Sequence, residues 1–225
     1  MTQTSTTKKQ PVGRRPKALH MDSDTRAEIL LAARKVLARK GLEGTSIREV
    51  AHMARVNNAM IYYHFKDKTE LYRAVLADSF TALDRIWEHE LFHGNASVRR
   101  KIGKYIEEFI RFQHANDELR RILSMELASC GENCKWLGKN LFSNSYENLV
   151  AILKAGMKSG ELKKCNPTMA IAILIGMIIH SFILRPIAEQ ITGKNLDLSV
   201  SRFGAFVTDL FFNGLGLERT AKTTS

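Results

Sequence analysis

Cysteine is scarce in this chain of 225 residues, and there is neither an apolar leader nor a convincing strand pattern. The three cysteines lie at irregular spacing, which excludes a disulfide scaffold and favours a reducing compartment. The N-terminus has no apolar stretch, so a secretory signal is excluded and a cytoplasmic protein is expected. From Val98 onward no strand-like alternation appears, and the chain contains no P-loop and no internal repeat. We therefore expect an all-α protein without a cofactor.

Acidic residues are too few to balance the basic ones. The chain has 34 Lys and Arg against 23 Asp and Glu, which gives a net charge of +11. Residues 1–70 carry 14 basic and 7 acidic side chains, so most of the excess lies in under a third of the chain. This charge predicts a polyanionic partner, and nucleic acid is favoured because no basic amphipathic membrane helix stands out.

Residues 1–23 are predicted to form a flexible basic arm, because they are rich in Thr, Ser, Lys, Arg and Pro and contain almost nothing apolar. The arm holds Lys8, Lys9, Arg14, Arg15 and Lys17. Two roles stay open for it. Residues 13–16 fit entry into a DNA minor groove, but a solvated tail that only adds electrostatic attraction is the favoured alternative.

Residues 24–70 have the layout of a helix-turn-helix module. Thr25 with Glu28, Ser46 with Glu49, and Asp67 with Glu70 are capping boxes, and Asn57 is a further cap. They predict a first helix from about Thr25 to Gly41, a second over 46–54, and a third from Asn58 to Tyr63 or His64. The helix that starts at Asp67 is expected to run to about His93, and so to connect the module to the rest of the chain.

The third helix has one inward and one outward face. Ile61 and Phe65 lie one turn apart and are predicted to be buried. We expect Tyr62 and Tyr63 to divide between partial burial and DNA contact, whereas His64 fits a contact and a structural role equally. The groups suited to base edges and phosphates are Asn58, Ala59, Met60, Tyr62, Tyr63, His64, Lys66 and Lys68.

Residues 71–225 are predicted to form a larger helical domain. Apolar periodicity marks helices near 102–110, 119–127, 136–157 and 199–213. The run from Met169 to Leu184 is apolar almost all round, too short for a comfortable membrane span, and better explained by burial against its own domain and a partner chain. His180 and Arg185 are the polar groups to explain there, as cavity lining or as core and interface hydrogen bonding.

The stretches GLEGTSIREVA and VNNAMIYYHFKDKTELY, followed by a helical remainder that ends in FVTDLFFNGL, resemble the TetR (tetracycline-repressor-like) transcriptional regulators. The resemblance is specific over residues 24–72 and architectural beyond them. It implies a homodimer that binds a pseudo-palindromic operator and represses genes until a small effector releases the DNA. The implied dimer interface is the last two helices, about Thr168–Arg185 and Ser199–Asn213.

The resemblance also assigns roles around the turn. It places Thr45, Ser46 and Arg48 where the second helix meets the DNA backbone, and Asn57 to Met60 where the third approaches bases and phosphates. Tyr62, Tyr63 and His64 would flank the backbone, and Lys68 would lie at a helix N-terminus near phosphate. The complete DNA-binding set that we predict is Thr45, Ser46, Arg48, Arg55, Asn57, Asn58, Ala59, Met60, Tyr62, Tyr63, His64, Lys66 and Lys68.

Two residues depart from the family pattern. Arg55 stands where a turn glycine is usual, so either the turn is adapted or Arg55 takes an uncommon backbone geometry while it adds a phosphate contact. Met60 replaces a small or hydroxylated residue, which favours contact with a thymine methyl over a hydrogen bond.

The effector site is predicted only weakly. An apolar or aromatic small molecule is expected, and the same residues would equally suit a plain core. The weak candidates for its lining are Phe109, Phe112, Met125, Trp136, Phe142, Met177 and His180.

Two other chemistries have to be weighed. His89, Glu90 and His93 form the H-E-x-x-H pattern of zinc hydrolases, but a third ligand is not recognisable and the architecture is that of a regulator. Cys130 and Cys134 lie four residues apart, as a redox or metal switch would require, although ordinary thiols explain them as well. We expect no enzyme and no resident metal, and a metal- or redox-sensing regulator is the alternative.

Overall fold

The structure is a computed structural model that describes residues 17–91, 96–129 and 131–215. The chain is helical throughout and forms no β-strand in these ranges, which confirms the all-α prediction. Its helices are α1 (Lys17–Gly44), α2 (Ile47–Ala54), α3 (Asn58–His64), α4 (Lys68–Leu91), α5 (Val98–Ala115), α6 (Asp117–Ser129), α7 (Glu132–Leu137), α8 (Ser143–Ser159), α9 (Pro167–Thr192) and α10 (Val200–Leu215).

The first helix starts earlier than predicted. α1 begins at Lys17, so Thr25 lies inside it and the predicted capping box with Glu28 is wrong, as is the flexible arm over residues 17–23. Neither proline nor glycine occurs between Pro16 and Gly41, so nothing in the sequence interrupts the helix there. The predicted end is confirmed, because Gly41 leaves the helical region with φ 67° and ψ −176°. Residues 1–16 lie outside the described residues.

The turn between α2 and α3 is closed by Arg55 in a left-handed conformation, with φ 58° and ψ 36°. The N–H of Arg55 donates to the carbonyl of His52 at 3.2 Å, and that of Val56 donates to the carbonyl of Ala51 at 3.0 Å. These two bonds are the Schellman pattern, which normally uses glycine at this position. Arg55 therefore has the uncommon geometry that was one of the two alternatives.

A small core holds the first four helices together. Ile29 and Val36 of α1, Val50 of α2 and Ile61 of α3 are fully buried, and α1 packs against both α2 and α4. Phe65 follows α3 and is also buried. Helices α2 and α3 share this core with α1 and α4. A shift of α1 or α4 therefore also moves α2 and α3.

Helix α6 joins this module to the second domain, since α1 packs against it directly. The hydroxyl of Tyr72 in α4 donates to the carboxylate of Glu126 in α6 at 2.9 Å, and both residues are buried. Burial and the Glu126 carboxylate raise the pKa of Tyr72 far above its usual value, so its hydroxyl stays a donor. Arg34 of α1 adds a bond of 2.8 Å to Asn116 and lies 3.2 Å from the Glu118 carboxylate.

The second domain is arranged around α5, which packs against α4, α8, α9 and α10. A π-helical turn over Gly138–Phe142 joins α7 to α8, so the helix predicted from Trp136 starts at Glu132 and contains an irregular turn. Gly160 ends α8 in the left-handed conformation with φ 81°.

Helix α9 is longer than predicted. It begins at Pro167 and continues through Pro186 to Thr192, where Gly193 caps it with φ 63°. An interior proline costs a helix about 3 kcal/mol, and here Arg185 and Glu189 support the following turn through an ion pair of 2.8 Å. At 26 residues, α9 is by length and composition able to cross a membrane, so the argument that it is too short is wrong. Its inward face nevertheless packs against α5, α8 and α10.

We expect Arg55→Gly to raise the free energy of unfolding by about 1 kcal/mol, because glycine avoids the Cβ clash of the left-handed conformation. Urea unfolding measures the change. Arg55→Ala removes the same charge but keeps a Cβ, so it should give no such gain. An equal gain in both variants would contradict the strain at Arg55.

We expect Tyr72→Phe to lower the free energy of unfolding by about 1–3 kcal/mol, because Glu126 would be left buried without its donor. The matched control is Tyr146→Phe, whose hydroxyl donates to the carbonyl of Thr168 at an exposed position. It should cost about 0.5 kcal/mol or less, since water replaces the lost partner. Equal costs in urea unfolding would contradict a buried link between α4 and α6.

Candidate nucleic-acid interface and ligand cavity

The outward face of α3 carries two exposed tyrosines. Ile61 is fully buried and Phe65 is 2% exposed, whereas Tyr62 is 56% and Tyr63 71% exposed. The expectation that one tyrosine would be partly buried is wrong, because Ile61 and Phe65 already occupy the inward stripe of this short helix. The Tyr63 and His64 rings are in edge contact at 5.0 Å between centroids. The face therefore presents two phenol groups next to a half-buried imidazole.

Two predicted contact residues also build the helix ends. The Asn57 side chain accepts from the N–H of Met60 at 2.9 Å, and the Ser46 hydroxyl accepts from the N–H of Glu49 at 3.2 Å. Both are N-caps, as predicted, and both are exposed at the surface. The Glu49 carboxylate accepts from Lys40 at 2.7 Å. Asn58 and Ala59 are exposed beside them, and Met60 is half-buried.

Thr45 is not part of the exposed surface. It is 4% exposed, and its hydroxyl donates to the carbonyl of Gly41 at 2.6 Å. The side chain therefore fixes the turn that follows α1, and its predicted DNA contact is not supported by its position. Gly41 has non-helical backbone angles, so its carbonyl is not paired as it would be within a helix. The Thr45 hydroxyl supplies the hydrogen bond instead.

Cationic groups surround the α2–α3 turn. Arg48, Arg55 and Lys66 are exposed, and Lys68 is half-buried with its ammonium 3.3 Å from the carbonyl of Glu43. The guanidinium of Arg26, which is outside the predicted DNA-binding set, lies 5.3 Å from the centroid of the Phe65 ring. It brings one more positive charge to the end of α3, and only the packing of α1 on this end could have identified it. These cationic side chains, together with the hydroxyls of Tyr62 and Tyr63, are suited to contacts with phosphates on either side of a DNA groove.

A cavity of about 400 Å³ lies in the second domain between α5, α6, the π-helical turn, α8 and α9. Its lining is mainly aliphatic and aromatic, and Phe80 of α4 contributes to it. The lining residues are Phe80, Tyr105, Phe109, Phe112, Gln113, Asn116, Leu119, Arg120, Leu123, Ser124, Leu127, Phe142, Ser145, Tyr146, Leu149, Ile175, Ile179, His180 and Ile183.

Four of the seven weakly predicted lining residues, Phe109, Phe112, Phe142 and His180, belong to this cavity. The other three lie elsewhere. Met125 approaches Gly41 from α6, Trp136 lies under the guanidinium of Arg73 at 5.1 Å, and Met177 packs against the core. Helical periodicity identifies the inward face of a helix, but it does not separate residues that line a cavity from those that fill the core.

The last two helices leave apolar side chains exposed. Met169, Ile173, Ile187 and Ile191 project from α9, and Ile191 is 78% exposed. On α10, Phe206 is 64% and Leu210 is 50% exposed. An apolar surface of this extent on a soluble domain marks an interaction site.

The residues considered for metal and redox chemistry fall largely outside what the structure describes. His93 and Cys130 lie outside the described residues, as do the side chains of His89 and Glu90. Cys134 and Cys165 are half-buried. Within the part of the chain that is described, no three His, Cys, Asp or Glu side chains are grouped to hold a metal ion.

Comparison with known proteins gives a consistent result. Residues 29–75 match the model of bacterial regulatory proteins of the tetR family. The chain is 30% identical over 143 residues to the HTH-type transcriptional regulator AcrR of Shigella flexneri, covering 58% of this chain and 63% of that protein. It is 36% identical over 142 residues to the HTH-type transcriptional repressor NicS of Pseudomonas putida, covering 62% and 64%.

The fold also matches solved structures. The transcriptional regulator FadR of Bacillus subtilis, crystallised with stearoyl-CoA, superposes with a TM-score of 0.71 at 21% identity, over 84% of this chain and 98% of FadR. The likeness at this identity concerns the fold. With a capped helix-turn-helix before a helical domain that contains an apolar cavity, the chain carries the DNA-binding domain of the tetR family over residues 29–75 and is similar to helix-turn-helix transcriptional regulators beyond it.

Proposed function

We propose that this protein is a homodimeric, cytoplasmic DNA-binding repressor that an apolar or aromatic small molecule releases from its operator. The observation that carries the proposal is the division of α3 into a buried stripe and an exposed face with two tyrosines. Within the described ranges both tyrosines are mostly exposed, and exposed cationic side chains lie around the same turn. Such a short helix after a tight turn is suited to the major groove of B-DNA.

We assign different tasks to the groups around the turn. Asn58, Ala59 and Met60 are at the start of α3, where a recognition helix contacts base edges. Tyr62, Tyr63, Arg48, Arg55 and Lys66 supply phosphate contacts, which fix the register without reading sequence. Ser46 and Asn57 cap the two helices and keep their N-termini, with their partial positive charge, at the surface.

A two-fold dimer would present two such faces to successive major grooves of a pseudo-palindromic site. The exposed apolar side chains of α9 and α10 support an interface there. Because α9 is apolar on the face away from its own domain, a second copy of the chain would bury it. This accounts for the composition of α9 without a membrane.

Helix α6 is the element through which an effector would act. One side of α6 lines the cavity with Leu119, Leu123 and Leu127, and another bonds α4 through Glu126. Any ligand that favours a different position of α6 therefore changes the position of α4 and of the reading helices. The change is limited to the difference in the ligand's affinity for the two states.

Selection from random duplex DNA should recover a pseudo-palindromic site, and Lys66→Ala should weaken binding to that site. Removing one phosphate contact lowers affinity and reduces the slope of log K against log salt concentration by about 1. Fluorescence anisotropy over a range of salt concentrations measures both.

The control for this measurement is Lys154→Ala, an exposed lysine of α8 far from the turn in sequence. It should leave the salt slope unchanged. Failure to select any site would refute a sequence-specific DNA-binding function, and an unchanged slope for Lys66→Ala would refute the phosphate contact.

Leu210→Asp should convert the dimer to a monomer, because it places a charge in an apolar interface that a second copy would bury. Light scattering after size exclusion should then give the mass of one chain, 25.4 kDa. Leu31→Asp is the matched control, since Leu31 is 60% exposed on α1 and away from α9 and α10. A dimer that survives Leu210→Asp, or a wild-type monomer, would contradict this interface.

A further inference from the structure

One polar side chain in the lining of the cavity has no hydrogen-bond partner among the described residues. Gln113 of α5 is 6% exposed and lines the cavity. Its backbone carbonyl accepts from Arg120 at 2.9 Å, but among the described residues its side-chain amide has no hydrogen-bond partner. An amide that faces a cavity and has no protein partner is available to water or to the polar group of a ligand. A buried amide at the wall of an open cavity is a site for a ligand's polar group.

The other polar groups of the cavity already have partners. The Arg120 guanidinium bonds Asp117 and the Gln113 carbonyl, and it lies 5.2 Å from the Phe182 ring centroid. The Asn116 amide donates to the carbonyl of Phe112 at 2.9 Å, and its oxygen accepts from Arg34. The Asp117 carboxylate holds Arg120 in place and is shared with Arg121, whose guanidinium lies 3.0 Å from it.

Three more polar groups of the lining have hydrogen-bond partners. The Tyr146 hydroxyl donates to the carbonyl of Thr168 at 2.6 Å, and the Ser124 hydroxyl donates to the carbonyl of Arg120 at 2.8 Å. His180 is exposed at the edge of the cavity, and its Nδ1 lies 3.0 Å from the carbonyl of Gly176.

The apolar part of the lining is strongly aromatic. Phe80 lies 5.4 Å from Phe112 and 5.0 Å from Phe142 between ring centroids, and the Phe109 and Phe112 rings are stacked. A volume of about 400 Å³ is at the small end of the range of about 300–1,000 Å³ that holds drug-sized ligands. This favours a compact ring system over a long chain with a large charged head.

We propose that the effector is an uncharged, compact and mainly aromatic molecule that carries a hydroxyl or carbonyl group, and that Gln113 is the residue that anchors this group. The inference rests on the proposed function, because it specifies the ligand class of the same regulator. An amide both donates and accepts, so it pairs with a hydroxyl or a carbonyl without selecting a charge. A carboxylate would lose much of its hydration in this mainly apolar lining, where the Arg120 guanidinium is already bonded to Asp117 and to the Gln113 carbonyl.

Gln113 also lies close to the contacts that join the second domain to the DNA-binding helices. Its carbonyl receives the bond from Arg120 in α6, and Asn116, three residues further along, receives the bond from Arg34 in α1. A ligand group held by Gln113 is thus next to two of the contacts that join the cavity to the first domain.

The test compares three probes that share one ring system: 1-naphthol, naphthalene and 1-naphthoate. Equilibrium dialysis against the full-length dimer should show 1-naphthol binding about tenfold more tightly than naphthalene, the effect of one hydrogen bond to a buried group. The charged 1-naphthoate should bind more weakly than 1-naphthol. Gln113→Leu should weaken 1-naphthol about tenfold and leave naphthalene unchanged, because it keeps the size of the side chain and removes the amide.

His180→Leu is the matched control, since it removes a polar lining group that already has a partner, and it should change 1-naphthol binding less than twofold. The Gln113→Leu variant should unfold at the same temperature as wild type or higher, which shows that lost binding is not lost folding. Equal binding of 1-naphthol and naphthalene, tighter binding of 1-naphthoate, equal effects of the two variants, or no binding by any probe would each overturn the inference. DNA selection with the ligand-free protein tests the proposed function separately.

Discussion

The contact between α6 and the first domain is the constraint on which the rest of the molecule depends. Tyr72 and Glu126 are buried together, and the hydroxyl–carboxylate bond between them cannot be exchanged for water without opening the interface. Arg34 fixes the start of α6 from α1 through Asn116. Because α1 and α4 form the small core with α2 and α3, the position of α6 sets the position of the recognition helix. Helices α2 and α3 therefore move together with α1 and α4, as one unit.

What could be predicted from the sequence is what short-range interactions determine. The caps at Ser46 and Asn57 and the buried pair Ile61 and Phe65 depend on neighbours within one or two turns, so their spacing is visible in the chain. The sequence places Arg55 in the turn, but it does not decide between the two backbone geometries, since the geometry depends on how α2 and α3 pack. Thr45 was misassigned for the same reason: a hydroxyl before a helix looks exposed until the preceding turn folds back over it.

Long-range packing determines the features that were missed. Nothing local marks Gln113 as different from any polar residue on an amphipathic helix, because its partner would have to come from another element. The extension of α9 past Pro186 was also hidden, since a proline ordinarily predicts a helix end. The pair Arg185–Glu189 and the cap at Gly193 support the extra turns, and the added length enlarges the apolar face that a second copy would cover.

Energetics indicate how such a cavity would control DNA binding. Reversing a two-state equilibrium from 1:99 to 99:1 requires a differential affinity of about 5.5 kcal/mol. One hydrogen bond to Gln113 contributes about 0.5–1.5 kcal/mol, so most of the difference has to come from apolar contacts that form in only one state. At about 25 cal/mol per Å², burial of an aromatic ring system against the phenylalanine cluster and α6 is the available source. In the proposed mechanism, Gln113 would select ligands by their polar group, while contacts of the ring with α6 and the phenylalanine cluster would supply most of the difference in affinity that releases the DNA.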